Sequence, residues 1–439
     1  MKKTSNHILI AIAIGLAGGS IGLRNAYSAA PAAPAPIAEI NAKAPARMAV
    51  HARVALAAGD VVQGLNSKEL LEPDHVPNYL RALAVYPGAP EAFAHLFRAV
   101  LYSGELEPEV KMAMGLRVAQ TYSAPYVALH AERLLRATPR GQALLQAIKS
   151  GKLDSLGQAD QLAIRYADLL TPDVHGVMDD DFRTVRAYFN DSQVVELTLT
   201  VCFFNYFTRM AEAFNLPLEP WALDSAAKLQ MPPADPPLAR VGLISDAEMK
   251  STREMQDAMN NPKNPASSWR IGFANSMRAM LRSPEIAAAW RDYGTAVRQS
   301  AAIDREIQLQ VSFAVSMANG CRYCTLHQVL GLQRLGVSMS KLMAMKKDDE
   351  ALTPRERTAV LFARKLTRDP VSVNDGDYAS LRTEFGDRGA SDVVLQTCAF
   401  AFMNRFTDGL RLPSEDEAVR VYREVYKTDW KNVKWQRAY

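Results

Sequence analysis

The chain has 439 residues, 48% hydrophobic and 22% charged, a balance that excludes disorder throughout and leaves room for two domains of ordinary size. Its formal net charge is only +4, and three of its basic residues, Lys2, Lys3 and Arg24, fall in the first 28 positions, so charge gives no footing for nucleic acid as a partner. Four cysteines are far too few for a disulfide scaffold in a chain this long.

Residues 1–28 read Met1-Lys2-Lys3, then an uncharged apolar run from Ile8 to Leu23, then small residues around Ala26-Tyr27-Ser28. That order predicts a cleaved secretory signal peptide and a periplasmic or secreted protein. The alternative is an uncleaved N-terminal anchor, but the run is rich in Gly and Ala and short of the roughly 18 to 20 residues a spanning helix needs. Residues 29–66 begin Pro/Ala-rich and read as a tether and lead-in. Export places any paired cysteine in an oxidising compartment, where it tends to form a disulfide.

The remainder is written twice. At a shift of 197 places Tyr126, Leu129 and His130 fall on Tyr323, Leu326 and His327, and Arg81, Ala82, Pro87 and Glu109 fall on Arg278, Ala279, Pro284 and Glu306. At a shift of 196, Cys202, Phe204, Arg209, Leu216 and Pro217 match Cys398, Phe400, Arg405, Leu412 and Pro413. This predicts a tandem duplication, with repeats at 67–223 and 267–426, a Pro-rich linker at 224–266 and a tail at 427–439. The period is far longer than a solenoid repeat, so each copy is expected to be a domain in its own right. Apolar residues recur at helical spacing, as in Ile307, Val311, Ala314, Val315 and Ala318, and in Val110, Met114, Val118 and Thr121. Gly336 reads as a helix stop, and Thr353-Pro354 as a cap followed by Pro at the first helical position. No alternating β pattern of useful length is visible, so the expected fold is all-α, two tandem helical bundles.

Chemistry concentrates in Asn319-Gly320-Cys321-Arg322-Tyr323-Cys324-Thr325-Leu326-His327. With Cys321 at a helix start and Cys324 one turn in, the helix N-terminus favours thiolate over thiol. His327, three residues on, lies on the same face and is a candidate proton acceptor, with Glu306 upstream as a candidate to orient it or pass it a proton. The implied reaction is attack by one thiolate on a peroxide or disulfide, followed by closure of the Cys321–Cys324 bond. Other readings are weaker or static. Cys-x2-Cys with one nearby His supplies three ligands, short of a structural zinc site, and a c-type haem site needs His where Thr325 stands. An inert structural disulfide is the static alternative. Cys202 and Cys398 sit in aromatic, apolar segments and read as buried small hydrophobes. Arg209 and Arg405, with Glu212 and Asp408 three places on, read as i,i+3 ion pairs or helix–helix ties, or as substrate-facing arginines. His130 faces Ala124 and Val127 where the second copy has thiols, so it is a leftover or a core histidine with a satisfied hydrogen bond.

Asn-Gly-Cys-x-Tyr-Cys with a following His, then Leu352-Thr353-Pro354-Arg355-Glu356-Arg357, then Asn404-Arg405-Phe406-x-Asp408-Gly409-Leu410 ending in Leu412-Pro413, resembles the AhpD-like, carboxymuconolactone decarboxylase superfamily, in its dithiol-bearing, peroxidase-related branch. The resemblance covers 267–413 strongly and the first copy weakly. It implies an all-α domain that pairs through helices and a thiol-dependent peroxidase or disulfide-exchange activity supported by an external dithiol reductant. It also implies roles for Cys324 as attacking thiol, Cys321 as resolving thiol, and Glu306 and His327 as proton relay. Two positions depart from the family pattern: the usual His place holds Gln328, and the usual Glu stands about one turn nearer the dithiol than Glu306. A two-copy chain is then expected as a fused dimer with one live and one silent site, able to associate further through helix pairs. No metal and no organic cofactor are expected, since no nucleotide-binding glycine loop or serine triad stands out. The rival from another class is a non-enzymatic helical scaffold or binding module with a structural disulfide.

Overall fold

The structure is a computed structural model that describes residues 34–58, 71, 75–223, 275–299, 301–345, 352–410, 412 and 414–427. The expected leader, the 224–266 linker and all but the first residue of the tail lie outside the described residues. Among those described, the regular elements are all helices, as the periodicity predicts. None is long and apolar enough to cross a membrane.

In chain order the α-helices are α1 Ile37–Ala42, α2 Ala44–Met48, α3 Asn78–Leu83, α4 Ala89–Tyr102, α5 Pro108–Thr121, α6 Pro125–Leu135, α7 Pro139–Ser150, α8 Gln158–Leu170, α9 Asp179–Tyr188 and α10 Asp191–Ala213. The second half continues with α11 Asn275–Met280, α12 Pro284–Gln299, α13 Arg305–Asn319, α14 Arg322–Arg334, α15 Met339–Ala344, α16 Pro354–Arg368, α17 Asp375–Gly409 and α18 Asp416–Tyr426. Local chemistry sets many of these ends. Asp304 caps α13 by accepting from Ile307 N at 2.8 Å, and Thr353 and Glu356 form a reciprocal capping box at α16. Gly336, expected as a stop, follows α14 with φ +90°. Gly386, at φ +68°, kinks α17.

The two halves do not form separate cores. One continuous apolar core runs through both, with Phe93, Phe97, Phe203 and Phe207 from the first half and Tyr293, Val394, Cys398 and Phe402 from the second. Burying each large aromatic or aliphatic side chain contributes roughly 1.5–3 kcal/mol, so neither half would keep its share if pulled from the other. Helices at matching positions meet across the junction: α4 packs on α12, and α10 packs on α17. Tyr206 meets Trp290 edge-on with centroids 5.8 Å apart, and Phe93 meets Tyr293 at 5.2 Å. The expectation of two independent domains is therefore corrected, because α4 and α10 of the first half bury apolar surface against α12 and α17 of the second within one shared core. A smaller cluster under α18 gathers Leu309, Phe313, Leu326, Leu330, Val421 and Tyr422.

The arginines expected as ion pairs or ties turn out to be ties. Arg209 donates to Thr367 O at 3.0 Å, Arg405 donates to Thr171 O at 2.7 Å, and both donate to the Tyr122 hydroxyl, at 2.8 and 3.1 Å. Their acidic neighbours are engaged elsewhere, Glu212 with Arg47 at 2.9 Å and Asp408 with His175 at 3.3 Å. Arg47 also corrects the lead-in reading. Residues 34–58 pack on the first half through buried Ile37 and Ile40 and this buried ion pair, so that part of the segment is no free tether.

Candidate active site

The dithiol sits where a left-handed Gly320, at φ +71°, ends α13 and lets the chain reverse into α14. Cys321 becomes the N-cap of α14, and the Cys324 amide donates to its sulfur at 3.3 Å. Both sulfurs converge on one hydroxyl, with Thr407 Oγ1 3.3 Å from Cys321 Sγ and 3.4 Å from Cys324 Sγ. Thr407 lies on α17 and also donates to Met403 O at 3.0 Å. Cys321 is 0% and Cys324 3% exposed. Burial pushes the Cys321 thiol well above its ordinary range, and its hydrogen bond with Cys324 and the nearby Asp408 charge push it further.

Asp408 follows Thr407 on α17, and its charge acts on Cys321. Burial raises its carboxyl pKa, while the His175 imidazole opposes that rise. His175 comes from the first half, in the loop between α8 and α9. Its Nε2 stands 3.3 Å from Asp408 Oδ2 and its Nδ1 3.5 Å from Asp173 Oδ1. Burial alone would lower the His175 pKa, but the hydrogen bonds and charges of Asp173 and Asp408 outweigh it and bring the value up to about 8. Gly176 makes the loop possible, since a Cβ there would collide with the Leu169 carbonyl.

The expected relay residues are not brought to the sulfurs. His327 Nδ1 donates to Tyr323 O at 2.6 Å, and its Nε2 lies 2.6 Å from Glu415 Oε2. Tyr323 donates to the other Glu415 oxygen at 2.9 Å, and the His327 ring stacks on Tyr323. His130 is held in the same way, with Nε2 2.9 Å from Glu219 and Tyr126 donating to that carboxylate at 2.8 Å. Of its two readings, His130 is thus the core histidine with a satisfied bond, and His327 occupies the matching place. Glu306 sits at the first turn of α13, accepting from Gln310 at 3.0 Å and Lys341 at 2.6 Å. The rest of α13, about 20 Å at 1.5 Å per residue, separates it from the dithiol.

Sequence reasoning misses Thr407 as the neighbour of both thiols and His175 as the partner of Asp408, and shows Asp408 only in an i,i+3 pairing with Arg405. The repeated Arg-x2-acid pattern is the one available signal for Asp408, and nothing in the spacing marks His175. Cys202 and Cys398 are fully buried on α10 and α17, and burial pushes both thiols up, in keeping with their reading as small hydrophobes. Among the described residues no group of three or more His, Cys, Asp or Glu is placed to hold a metal ion.

Residues 284–365 match the family model described as the carboxymuconolactone decarboxylase family. Two solved structures of the debrominase Bmp8 are similar to part of the chain. A variant in complex with 2,3,4-tribromopyrrole is 21% identical, covering 40% of this chain and 94% of its own, with a TM-score of 0.34. The apo form is 22% identical, covering 40% and 95%, also with a TM-score of 0.34. No curated protein matches. The stretch 284–365, which carries both thiols of the site, belongs to the carboxymuconolactone decarboxylase family.

Proposed function

We propose that the chain is an exported thiol-dependent oxidoreductase that reduces a hydroperoxide, or exchanges with a disulfide, through Cys321 and Cys324. The observation that carries this reading is the convergence of both sulfurs on Thr407 at the N-terminus of α14, inside a stretch that matches the carboxymuconolactone decarboxylase family model. The Cys324 amide that donates to Cys321 Sγ and the partial positive charge of the helix start act against the burial that raises the Cys321 thiol.

In the peroxide reaction, the Cys324 thiolate attacks one peroxide oxygen and the O–O bond breaks, giving a sulfenic acid on Cys324 and an alcohol after protonation. Cys321 then attacks the Cys324 sulfur, the S–S bond forms, and the sulfenic oxygen leaves as water. An external dithiol returns the pair to its reduced state by exchange. Peroxide turnover by Cys324→Ser tests the assignment; consumption at the wild-type rate would sink it.

The near-complete burial of both sulfurs favours a second reading, a static clasp in a helical scaffold. Reduction potential separates the two, because a structural disulfide lies below about −300 mV and an exchanging one well above it.

A further inference from the structure

Beside the dithiol the two halves differ in more than the thiols themselves. In the second half a line of side-chain hydrogen bonds joins α13 to α17 and ends at the sulfurs. Gln396 donates to Ser312 Oγ at 2.7 Å, Asn404 to Ser316 Oγ at 3.1 Å, and Asn319 to Asn404 Oδ1 at 2.8 Å. Three residues past Asn404, Thr407 carries the hydroxyl that meets both sulfurs. In the first half the places of Ser312, Ser316 and Thr407 hold Gly115, Ala119 and Ala211, which have no side-chain hydrogen bond to offer.

Apolar bulk differs at the same positions. In the first half Phe97 packs on Phe203, Phe204 and Phe207 with centroids 5.0, 5.9 and 5.6 Å away, and all four rings are buried. Phe204 lies so close over Gly115 that a Cβ there would collide with its ring. The second half has Gly294, Ala399, Phe400 and Met403 where the first has these four rings, and Ser312 brings the Cβ that Gly115 lacks. Ala399, Phe400 and Met403 are partly exposed, as are Met317, Ala318 and Asn319 in the last turn of α13 before the dithiol. The aromatic plug that seals the first half is thinned next to the sulfurs.

We propose that this opening between α13 and α17 is the path by which substrate reaches the dithiol. Asn319 and Asn404 are its specificity residues, holding an uncharged peroxide group beside Thr407, while Phe400 and Met403 seat an apolar arm. The inference rests on the oxidoreductase reading and names a substrate class for it, a slender, uncharged hydroperoxide.

The polar groups along the path are amides and hydroxyls, which can donate to one peroxide oxygen and accept from the terminal O–H. The charged neighbours on α17 are engaged elsewhere, Arg405 with Thr171 O and the Tyr122 hydroxyl, Asp408 with His175. A substrate carrying a carboxylate near its reacting end would therefore bury that charge without a cation to balance it.

The test uses the full chain and two readouts. Cumene hydroperoxide is the turnover probe, and alkylation of the reduced dithiol by N-ethylmaleimide, followed by mass spectrometry, needs no turnover. Met403→Trp should lower kcat/KM for cumene hydroperoxide and slow alkylation, each about tenfold, the low end for a steric mismatch in an apolar pocket. Asn404→Leu should raise KM about fivefold, the scale of one net hydrogen bond, with kcat less affected. Should that buried variant fail to fold, Asn319→Ala, at a partly exposed position, carries the same readout. A seam that only packs the two helices would shift the urea midpoint of these variants and leave alkylation and KM at wild-type values, which overturns the proposal. Wild-type peroxide consumption by Cys324→Ser would remove the oxidoreductase reading alone, because the alkylation rates still decide whether this is the path to the sulfurs.

Discussion

His175 Nε2 stands 3.3 Å from Asp408 Oδ2, and this contact joins the loop after α8 in the first half to the helix that backs the dithiol in the second. The first half, with Ala124 and Val127 at the places matching the two thiols, therefore reaches the helix that carries Thr407. The junction between the halves is a place where side chains from both are needed at once.

That contact predicts a pH dependence of stability. The His175 pKa is raised in the folded state, so its contribution is fully present below the unfolded value near 6.5 and is lost as pH rises through about 8. The shift corresponds to about 2 kcal/mol for this buried group. Urea unfolding at pH 6 and pH 9 should show that loss, and His175→Gln should flatten it. An equal pH dependence in the variant would rule His175 out as its source.

Glu415 predicts the opposite trend at acid pH. Its pKa is lowered in the folded state, against burial, by His327 and the Asn275 amide. Its contribution is present above the unfolded carboxylate value and is lost as pH falls through the folded one. Glu415→Gln should weaken the acid limb of the unfolding curve while leaving Cys321–Cys324 closure near the wild-type rate. Slowed closure at unchanged stability would instead bring His327 and Glu415 back into the thiol relay.

Tyr122 is the shared acceptor for Arg209 and Arg405, both buried. Tyr122→Phe leaves the two guanidinium groups facing each other without it and should cost about 3 kcal/mol, the low end for breaking a buried charged contact. A denaturant midpoint equal to the wild type would show that the remaining carbonyl partners suffice.

Thr407→Val removes the hydroxyl between the sulfurs with little change in shape. The loss in stability should be about 1 kcal/mol, the net worth of a buried hydrogen bond. Dithiol closure should slow more than stability falls, as read by alkylation kinetics at fixed pH. Closure at the wild-type rate would mean that Thr407 only fills space.

Gly176→Ala places a methyl group against the Leu169 carbonyl and must move the loop that carries His175. Far-UV circular dichroism should remain helical while the high-pH loss of stability flattens, as in His175→Gln. Retention of that loss would show that the loop adjusts without displacing the imidazole.

Short-range features are legible in the amino-acid sequence. Helical spacing in α5 and α13, the stop at Gly336, the Thr353 cap and the placing of Cys321 and Cys324 at a helix start each depend on residues within a turn or two, and backbone hydrogen bonding fixes their geometry locally. The proton relay is not legible in the same way. Glu306 is close to the dithiol in sequence but is held about 20 Å away along α13, since a helix keeps its two ends apart. His327 sits on the dithiol's own helix, yet both of its nitrogens are taken by Tyr323 and Glu415.

The amino-acid sequence alone determined an all-helical chain, its offset pattern of matching residues and the thiol pair itself, because each is written in local spacing. Tertiary structure alone decided that the halves share one core, that the Thr407 hydroxyl meets both sulfurs, and that His175 of the first half pairs with Asp408 next to Thr407. Such contacts join residues far apart in the chain, and long-range packing imposes no periodicity on sequence from which they could be read.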